Sequence, residues 1–487
     1  LSPAPFALAD LLPADADILT GSGERPVFGV AIDSRHVQPG FLFVAVPGTK
    51  VDGARFIPAA IAAGAVAVVT SEQPVDIPAG ICVVKVGNVR AALSHIAARL
   101  YPAQPETLVA VTGTSGKSSV VSFTRQIWEG LGLSAASLGT LGVTAPSGSV
   151  YGSLTTPDPI SLHQNLQHLA EEGVTHAAFE ASSHGLDQHR LDGLRLAAAG
   201  FTNLSRDHLD YHPDLESYFS AKLRLFSELL PSGGTAVVDA DSAEGERVAQ
   251  VAASRGIRVI STGFKGVDLR VVALERSGFS QRLVLAAGGR ECEIDFPLVG
   301  AFQVANALVA AGLAIAAGAD LQQVLGTIPY LKGVSGRLEN VGMRQGAPVF
   351  IDYAHKPGAL THALGALRPY ADRKLVVVFG CGGDRDHGKR PEMGRIAADL
   401  ADEVIVTDDN PRSEDPSSIR AAILAAAPGA REIGDRGEAI RIAVSELEAG
   451  DVLLVAGKGH ETGQIIGDRT LPFSDHEAVK MVLEADQ

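Results

Sequence analysis

The segment "GTSGKSS", Gly113-Thr114-Ser115-Gly116-Lys117-Ser118-Ser119, follows the apolar run "LVAVT" and leads into a helical pattern. Glycines at this spacing let backbone N–H groups turn onto phosphate oxygens. Lys117 can neutralise charge on the β and γ positions, and the Ser118 hydroxyl can ligate Mg²⁺. Val111 stands at the first glycine position of a Walker A loop, so the motif is imperfect. The strand before it and the helix after it still predict ATP binding. ATP binding by itself does not separate a kinase, an ATPase and a ligase.

Four further segments narrow the chemistry. "FEASSHGLDQHR" sets Glu180 at the end of an apolar strand, followed by Ser182, Ser183, His184, Gln188 and Arg190. "NLSRDHLDYH" gathers Asp207, His208, Asp210 and His212, and "FSAKLRLF" offers Lys222 in an amphipathic helix. "IDYAHKPGAL" sets Asp352, His355 and Lys356 just past a strand. Each has an ordinary structural alternative: a capping carboxylate, a surface turn or, for Lys222, a solvated helix face. Together, a carboxylate, an imidazole and an ATP loop are the parts of a Mg²⁺-assisted phosphoryl site.

The elements that must position these groups fall into three regions. The first, to residue 106, alternates β-rich runs ("FGVAID", "FLFVAV", "AVAVVTS", "ICVVKV") with an Ala-rich helix near "FIPAAIAAG", and ends in a polar linker, "YPAQPET". The second, 107–337, opens at the phosphate loop and carries strands such as "HAAFEAS" and "GTAVVDA". The third, 338–487, has the apolar runs "VFIDYA", "KLVVVFG", "EVIVTDD" and "DVLLVAG", with helical stretches such as "RGEAIRIAVSELEAG" between them. Short buried strands alternating with helices predict an α/β fold with parallel sheets and right-handed crossovers. Sites in such sheets lie beyond the strand C-termini, where most of the unusual residues stand.

At 487 residues the chain exceeds one typical core. A net charge of -15 argues against a nucleic-acid coat or a polybasic membrane anchor. No apolar run approaches the roughly 18 residues of a membrane-spanning helix. Cys82, Cys292 and Cys381 lie far apart without metal-ligand spacing, which suits a reducing cytoplasm. A cytoplasmic protein without stable membrane insertion is expected.

At these residues the sequence resembles the Mur ligases, which add amino acids to the peptidoglycan precursor. The resemblance spans essentially the whole chain. It implies a UDP-binding N-terminal domain (1–106), a central P-loop ATPase domain with a parallel sheet (107–337) and a Rossmann-like C-terminal domain (338–487). "GTSGKSS" is similar to the family's GTNGK-[ST]-[ST] loop, with Ser115 where Asn is usual. By the resemblance, Glu180 and His208 bind Mg²⁺ and Lys222 carries a CO₂-derived carbamate. A bare ammonium would repel the metal, whereas a carbamate is an anion. Asn306 in "VGAFQVANALVAAG" matches the adenine side, Arg337 in "SGRLE" the phosphates and Asp352 the ribose hydroxyls. Gln303 stands where Asn is usual, and Lys356, where Thr is usual, receives no role. The resemblance also implies UDP contacts from Ile32, Ser34 and "GTKVDG", and a muramoyl-dipeptide cradle of Thr155, Thr156, Ser182, Gln188 and Arg190.

The stretch "TDDNPRSEDP" discriminates among family members. Asp409, Asn410, Pro411 and Arg412 by themselves make an ordinary Asn-Pro turn. Within the resemblance they match the DNPR signature of members that add meso-diaminopimelate at the third peptide position. Diaminopimelate differs from lysine by a second α-carboxylate, for which a guanidinium on a rigid turn is a fitting bidentate partner. Arg385 in "CGGDRDHGKRP", with Gly457 and Glu461 in "AGKGHET", matches the remaining contacts, Glu461 facing the distal ammonium. The implied reaction phosphorylates the γ-carboxylate of UDP-N-acetylmuramoyl-L-Ala-D-Glu with ATP. The amino group of diaminopimelate then attacks the acyl phosphate. A lysine-adding ligase, a folylpolyglutamate synthase-like ligase, a P-loop kinase and an ATP-regulated scaffold are the rival readings. A monomer acting on small molecules, without nucleic acid, is expected.

Overall fold

The computed structural model describes residues 5–48, 51–74, 76–150, 154–209 and 211–485. The phosphate-loop strand, Thr107–Thr112, shows why the central region folds as it does. Successive side chains of a strand face opposite ways. Val109 and Val111 enter a core with the helices Lys117–Gly130 and Ala301–Ala316, while Leu108 and Ala110 enter another with the helix Pro159–Glu171. All four are fully buried, so the strand reads as a continuous apolar run rather than an alternating one.

Among the described residues this strand is the fifth of an eleven-stranded sheet, flanked by His176–Glu180 and Leu196–Phe201, both parallel to it. Neither neighbour is the next strand in sequence, which makes this the point where the winding reverses and a crevice opens. Glu180 pairs with Val111 and Phe201 with Thr112, so three strand ends finish at one edge. The C-terminal sheet runs 339–344, 347–352, 452–456, 375–379, 403–406, 431–432 and is parallel after its first strand. Asp352 pairs with Ala456 and Phe379 with Val406, which brings the turns after them to one edge as well. A five-stranded sheet, 17–20, 82–85, 67–70, 41–44, 29–31, forms the N-terminal region.

The expectation of parallel sheets needs correction at the margins. Leu269–Ser277, Ser280–Ala287 and Arg290–Phe296 extend the central sheet as an antiparallel meander, and Gly142–Ala145 with Gly148–Val150 does so on the other edge. One face of the meander is solvated, which antiparallel strands tolerate. Its turns carry Gly278, Gly288 and Gly289 at φ 59°, 58° and 76°, the left-handed conformations of tight hairpins. Nor is "YPAQPET" a free tether. Gln104 is buried, donating to the Gly193 carbonyl at 3.4 Å and accepting from Arg195 N at 3.2 Å. Among the described residues no helix is long and apolar enough to cross a membrane.

The C-terminal region closes over a fully buried ion pair. Arg436 Nε and Nη2 donate to the two carboxylate oxygens of Asp475, each at 2.7 Å, and Nη2 also reaches the Ala456 carbonyl at 3.0 Å. Removing one charge from such a pair strands the other. Asp475→Asn is therefore expected to cost about 3–5 kcal/mol locally. Hydrogen exchange checks this: amides of Val452–Ala456 should lose protection while those of Thr107–Thr112 keep theirs.

Candidate active site

Gly113 and Gly116 adopt φ of 148° and 89°. A Cβ at Gly113 would lie 1.9 Å from Thr202 Oγ1, and one at Gly116 2.3 Å from Asn306 Oδ1. No other residue fits either position. Gly116 caps the helix Lys117–Gly130 without a side-chain hydrogen bond, leaving N-terminal amides for an anion. The loop is held from behind: Thr114 N donates to the Asn203 carbonyl at 2.8 Å, Ser115 N to Asn203 Oδ1 at 3.0 Å, and Thr202 Oγ1 to the Ser115 carbonyl at 2.7 Å. Ser119 is buried in the first turn of the helix.

Two lysines converge on this loop. Lys117 Nζ donates to the carbonyls of Gly113 and Thr114 at 2.9 and 3.0 Å, and Lys222 Nζ donates to the same Gly113 carbonyl at 2.7 Å. Lys222 is 1% exposed, not a solvated helix residue, and its ammonium lies 4.3 Å above the Tyr218 ring. Burial, reinforced by the charge of Lys117, holds it well below the ordinary lysine range. Its helix, Leu215–Arg224, passes directly into a π-turn, Leu225–Leu229.

Across the loop the buried Glu180 carboxylate accepts from Ser118 Oγ at 2.8 Å and from Thr140 N at 2.9 Å, with Thr140 Oγ1 at 3.3 Å. Thr140, which nothing in the sequence singled out, also bonds Thr155 at 3.0 Å. A cleft of about 600 Å³ opens from Ser118 and Glu180 along the outer face of the phosphate-loop helix. His208 has φ 52°; its N–H donates to Asp207 Oδ1 at 2.7 Å and its Nε2 lies 3.4 Å from Asp207 Oδ2. Burial lowers its pKa to about 4, so the imidazole is neutral. Among the described residues no three of His, Cys, Asp or Glu gather closely enough to form a metal cage. Asp210 lies outside the described residues, as do Thr49 and Lys50 of "GTKVDG".

The residues of the expected dipeptide cradle form one network. Thr156 Oγ1 donates to the Glu180 carbonyl at 2.8 Å and accepts from Ser182 N at 3.0 Å. Arg190 donates to the Thr156 carbonyl at 2.6 Å and to Gln188 Oε1 at 2.8 Å. The N-terminal region reaches this network's neighbourhood through its helix Val89–Leu100: the capping Asn88 lies 3.1 Å from His189 Nε2, and Ser94 donates to the His189 carbonyl at 2.5 Å. Ile32 is 38% exposed and Ser34 opens a short 3₁₀ turn capped by Asp33. Among the described residues no hydrogen bond joins either to the cradle.

On the C-terminal side, Arg337 stacks 4.8 Å over Tyr353, and its carbonyl accepts from Gln303 Nε2 at 3.1 Å. Gln303 in turn accepts from Asn306 Nδ2 at 3.4 Å, tying the helix Ala301–Ala316 to Arg337. Asp352 accepts from Leu338 N at 2.6 Å, and burial raises its pKa to about 6. The Gly457 amide, on the paired strand end, donates to the Asp352 carbonyl at 3.0 Å.

The turn Asp409–Arg412 is no surface turn. Asp409 and Asn410 are buried, Asn410 Nδ2 donates to Glu461 at 2.9 Å, and Asn410 Oδ1 accepts from Ile465 N at 2.9 Å. Pro411, also buried, leads into Arg412 at φ 52°, whose Nη1 donates to the Gly383 carbonyl at 2.9 Å. A Cβ on Gly382 would sit 2.7 Å from Arg412 Nη1 and 3.9 Å from Arg385 Cγ, and one on Gly457 2.7 Å from Asp409 Oδ2. Sequence reasoning missed Lys458 and Gln464. Lys458 is fully buried and donates to Asn410 Oδ1 at 3.2 Å and Glu461 at 3.0 Å; Gln464 donates to the Asp409 carbonyl at 2.7 Å.

Three family models match along the chain: "Mur ligase family, catalytic domain" over 26–101, "Mur ligase middle domain" over 111–314 and "Mur ligase, glutamate ligase domain" over 336–459. The UDP-N-acetylmuramoyl-L-alanyl-D-glutamate–2,6-diaminopimelate ligase of Bradyrhizobium diazoefficiens is 59% identical, covering 98% of this chain and 99% of its own. The like-named protein of Mesorhizobium japonicum is 55% identical, covering 98% of each. A solved structure of a diaminopimelate ligase of that name superposes with a TM-score of 0.73 at 32% identity, covering 99% of both chains. With relatives this similar over nearly their whole length and the family's models matched in order along it, the chain belongs to the Mur ligase family.

Proposed function

We propose that the chain is an ATP-dependent amide-forming ligase that joins meso-2,6-diaminopimelate to UDP-N-acetylmuramoyl-L-alanyl-D-glutamate, in the cytoplasm. The observation that carries this reading is the full-length likeness to curated 2,6-diaminopimelate ligases. The grouping of Arg385, Arg412, Asn410, Gly457 and Glu461 beside the Asp352 strand end supports it. Guanidinium and carboxylate in one pocket suit the zwitterionic end of a diamino diacid, and they discriminate against lysine, which lacks the second α-carboxylate.

The chemistry follows from what a carboxylate lacks. Its carbon is electron-rich and oxide is no leaving group. A γ-carboxylate oxygen of the D-glutamyl end therefore attacks the γ-phosphorus, the bond to the β–γ bridging oxygen breaks, and ADP leaves. The diaminopimelate amine then attacks the acyl carbon, loses a proton, and phosphate departs. Lys117 and the loop amides spread the charge that develops during transfer. Thr155, Thr156, Ser182, Gln188 and Arg190 hold the dipeptide, Ile32 and Ser34 the uridine end, and Asn306, Arg337 and Asp352 the nucleotide.

Ser118 and Glu180 are hard oxygen donors that fit Mg²⁺, and neutral His208 has the protonation state a metal ligand needs. Mg²⁺ keeps water and phosphate oxygens in most of its positions, so a protein cage of three carboxylates is not required. When bound, it neutralises phosphate charge. The burial of Lys222 and its neighbour Lys117 favour the free amine, the form that adds CO₂ to give a carbamate.

ADP release measured with the UDP-muramoyl-dipeptide, alone and with diaminopimelate, lysine or glutamate, tests the reading. Turnover should require diaminopimelate; equal turnover with lysine would overturn the pocket assignment. Arg412→Lys should raise the KM for diaminopimelate about tenfold to a hundredfold, the worth of a charged hydrogen-bond pair, without changing the KM for ATP. For the carbamate, Lys222→Ala should lose activity and regain part of it with added formate or acetate. Unchanged turnover of that variant would rule the modification out.

A further inference from the structure

Lys356 stands where the C-terminal region meets the central one. Its ammonium lies 2.5 Å from Asp207 Oδ1, the same oxygen that accepts the His208 N–H at 2.7 Å. The Asp207 side chain is 10% exposed and that of Lys356 34%, so the pair is half-sequestered rather than a surface contact. The lysine's direction is set by its backbone. It is extended at φ -136° and ψ 154° before Pro357, the first residue of the helix Pro357–Leu367, as a residue preceding proline must be. The turn is braced behind by Lys389, which donates to the His355 carbonyl at 2.9 Å, and by His355 Nδ1, 2.8 Å from the Tyr353 carbonyl.

The surroundings give the pair a purpose. Lys117 and Lys222 share the Gly113 carbonyl, and the charge of Lys356 reaches both of them. A further cation brought beside Lys117 by another domain would be repelled without a carboxylate to meet it. Asp207 is that carboxylate, and by accepting the His208 N–H it holds the strained His208 turn as well.

We propose that Lys356 and Asp207 form a cross-domain latch: engagement of the C-terminal domain fixes the His208 turn and shuts water out of the acyl-phosphate site. Lys356 is on this view a positioning residue, acting through Asp207, and the inference rests on the ligase reading above. With the latch open, water attacks the acyl carbon of the intermediate, the bond from that carbon to the phosphate oxygen breaks, phosphate leaves and the carboxylate returns. ATP is then consumed without an amide.

The ratio of ADP released to amide formed, measured with saturating ATP, UDP-muramoyl-dipeptide and diaminopimelate, reads this directly. Wild type and Lys356→Arg should stay near one. Lys356→Met and Asp207→Asn should each rise about threefold or more, and the double variant should rise no further than either single one, as expected for partners in one interaction. A ratio near one in Lys356→Met, even with a lowered kcat, would overturn the latch; so would additive effects in the double variant. If Asp207→Asn does not fold, the contrast between Lys356→Met and Lys356→Arg decides alone. A wild-type enzyme that forms no amide with diaminopimelate would instead sink the ligase reading.

Discussion

One carbonyl oxygen, that of Gly113, accepts hydrogen bonds from both Lys117 and Lys222. Two amines on a single acceptor, that of Lys222 buried, are stable together only when charge is shed or met. Burial lowers the proton affinity of each. The rest of the site can be understood as arranged around these two amines. Glu180 lies across the loop on Ser118, Asp207 faces the amine side, and Arg337 is stacked away on Tyr353. A site organised in this way is poorly matched to a neutral ligand and well matched to transferring phosphate.

The sheets deliver these groups by finishing their strands in register. Glu180, Gly113 and Thr202 stand at or just past three adjacent strand ends of the central sheet, and Asp352 and Gly457 at or just past two of the C-terminal sheet. Side chains at strand ends inherit the rigidity of the buried strands behind them, which is how a site assembled from distant segments keeps its geometry. The glycines among them are spatial requirements. At Gly113, Gly116, Gly139, Gly382 and Gly457 an added Cβ would strike a polar group of the site itself. Beside the Asp409–Arg412 turn, buried Lys458 holds both Asn410 Oδ1 and the Glu461 carboxylate, so the two side chains are oriented together.

Much of this was legible in the residues alone, and the boundary has a physical cause. The phosphate loop was readable because its parts are consecutive: strand, glycine turn and helix start follow one another, and local backbone geometry decides them. The positions of Glu180 and Asp352 at strand ends, and of Asp409 in the turn after one, were readable because buried parallel strands announce themselves as short apolar runs. The meander at 269–296 is hard to read although Gly288-Gly289 marks a hairpin, because alternation on a half-solvated sheet is a weaker signal than an apolar run. The burial of Lys222 was not readable. An amphipathic helix shows which face is apolar but not what its polar face meets, and here it meets the phosphate loop. Thr140 on Glu180, Lys458 on Asn410 and Lys356 on Asp207 join segments that no local period relates. Sequence by itself determined which strands and turns form and where their ends carry chemistry, since those depend on neighbouring residues. Only the tertiary structure decided which charges share a carbonyl or a carboxylate, since that depends on how separately formed elements pack.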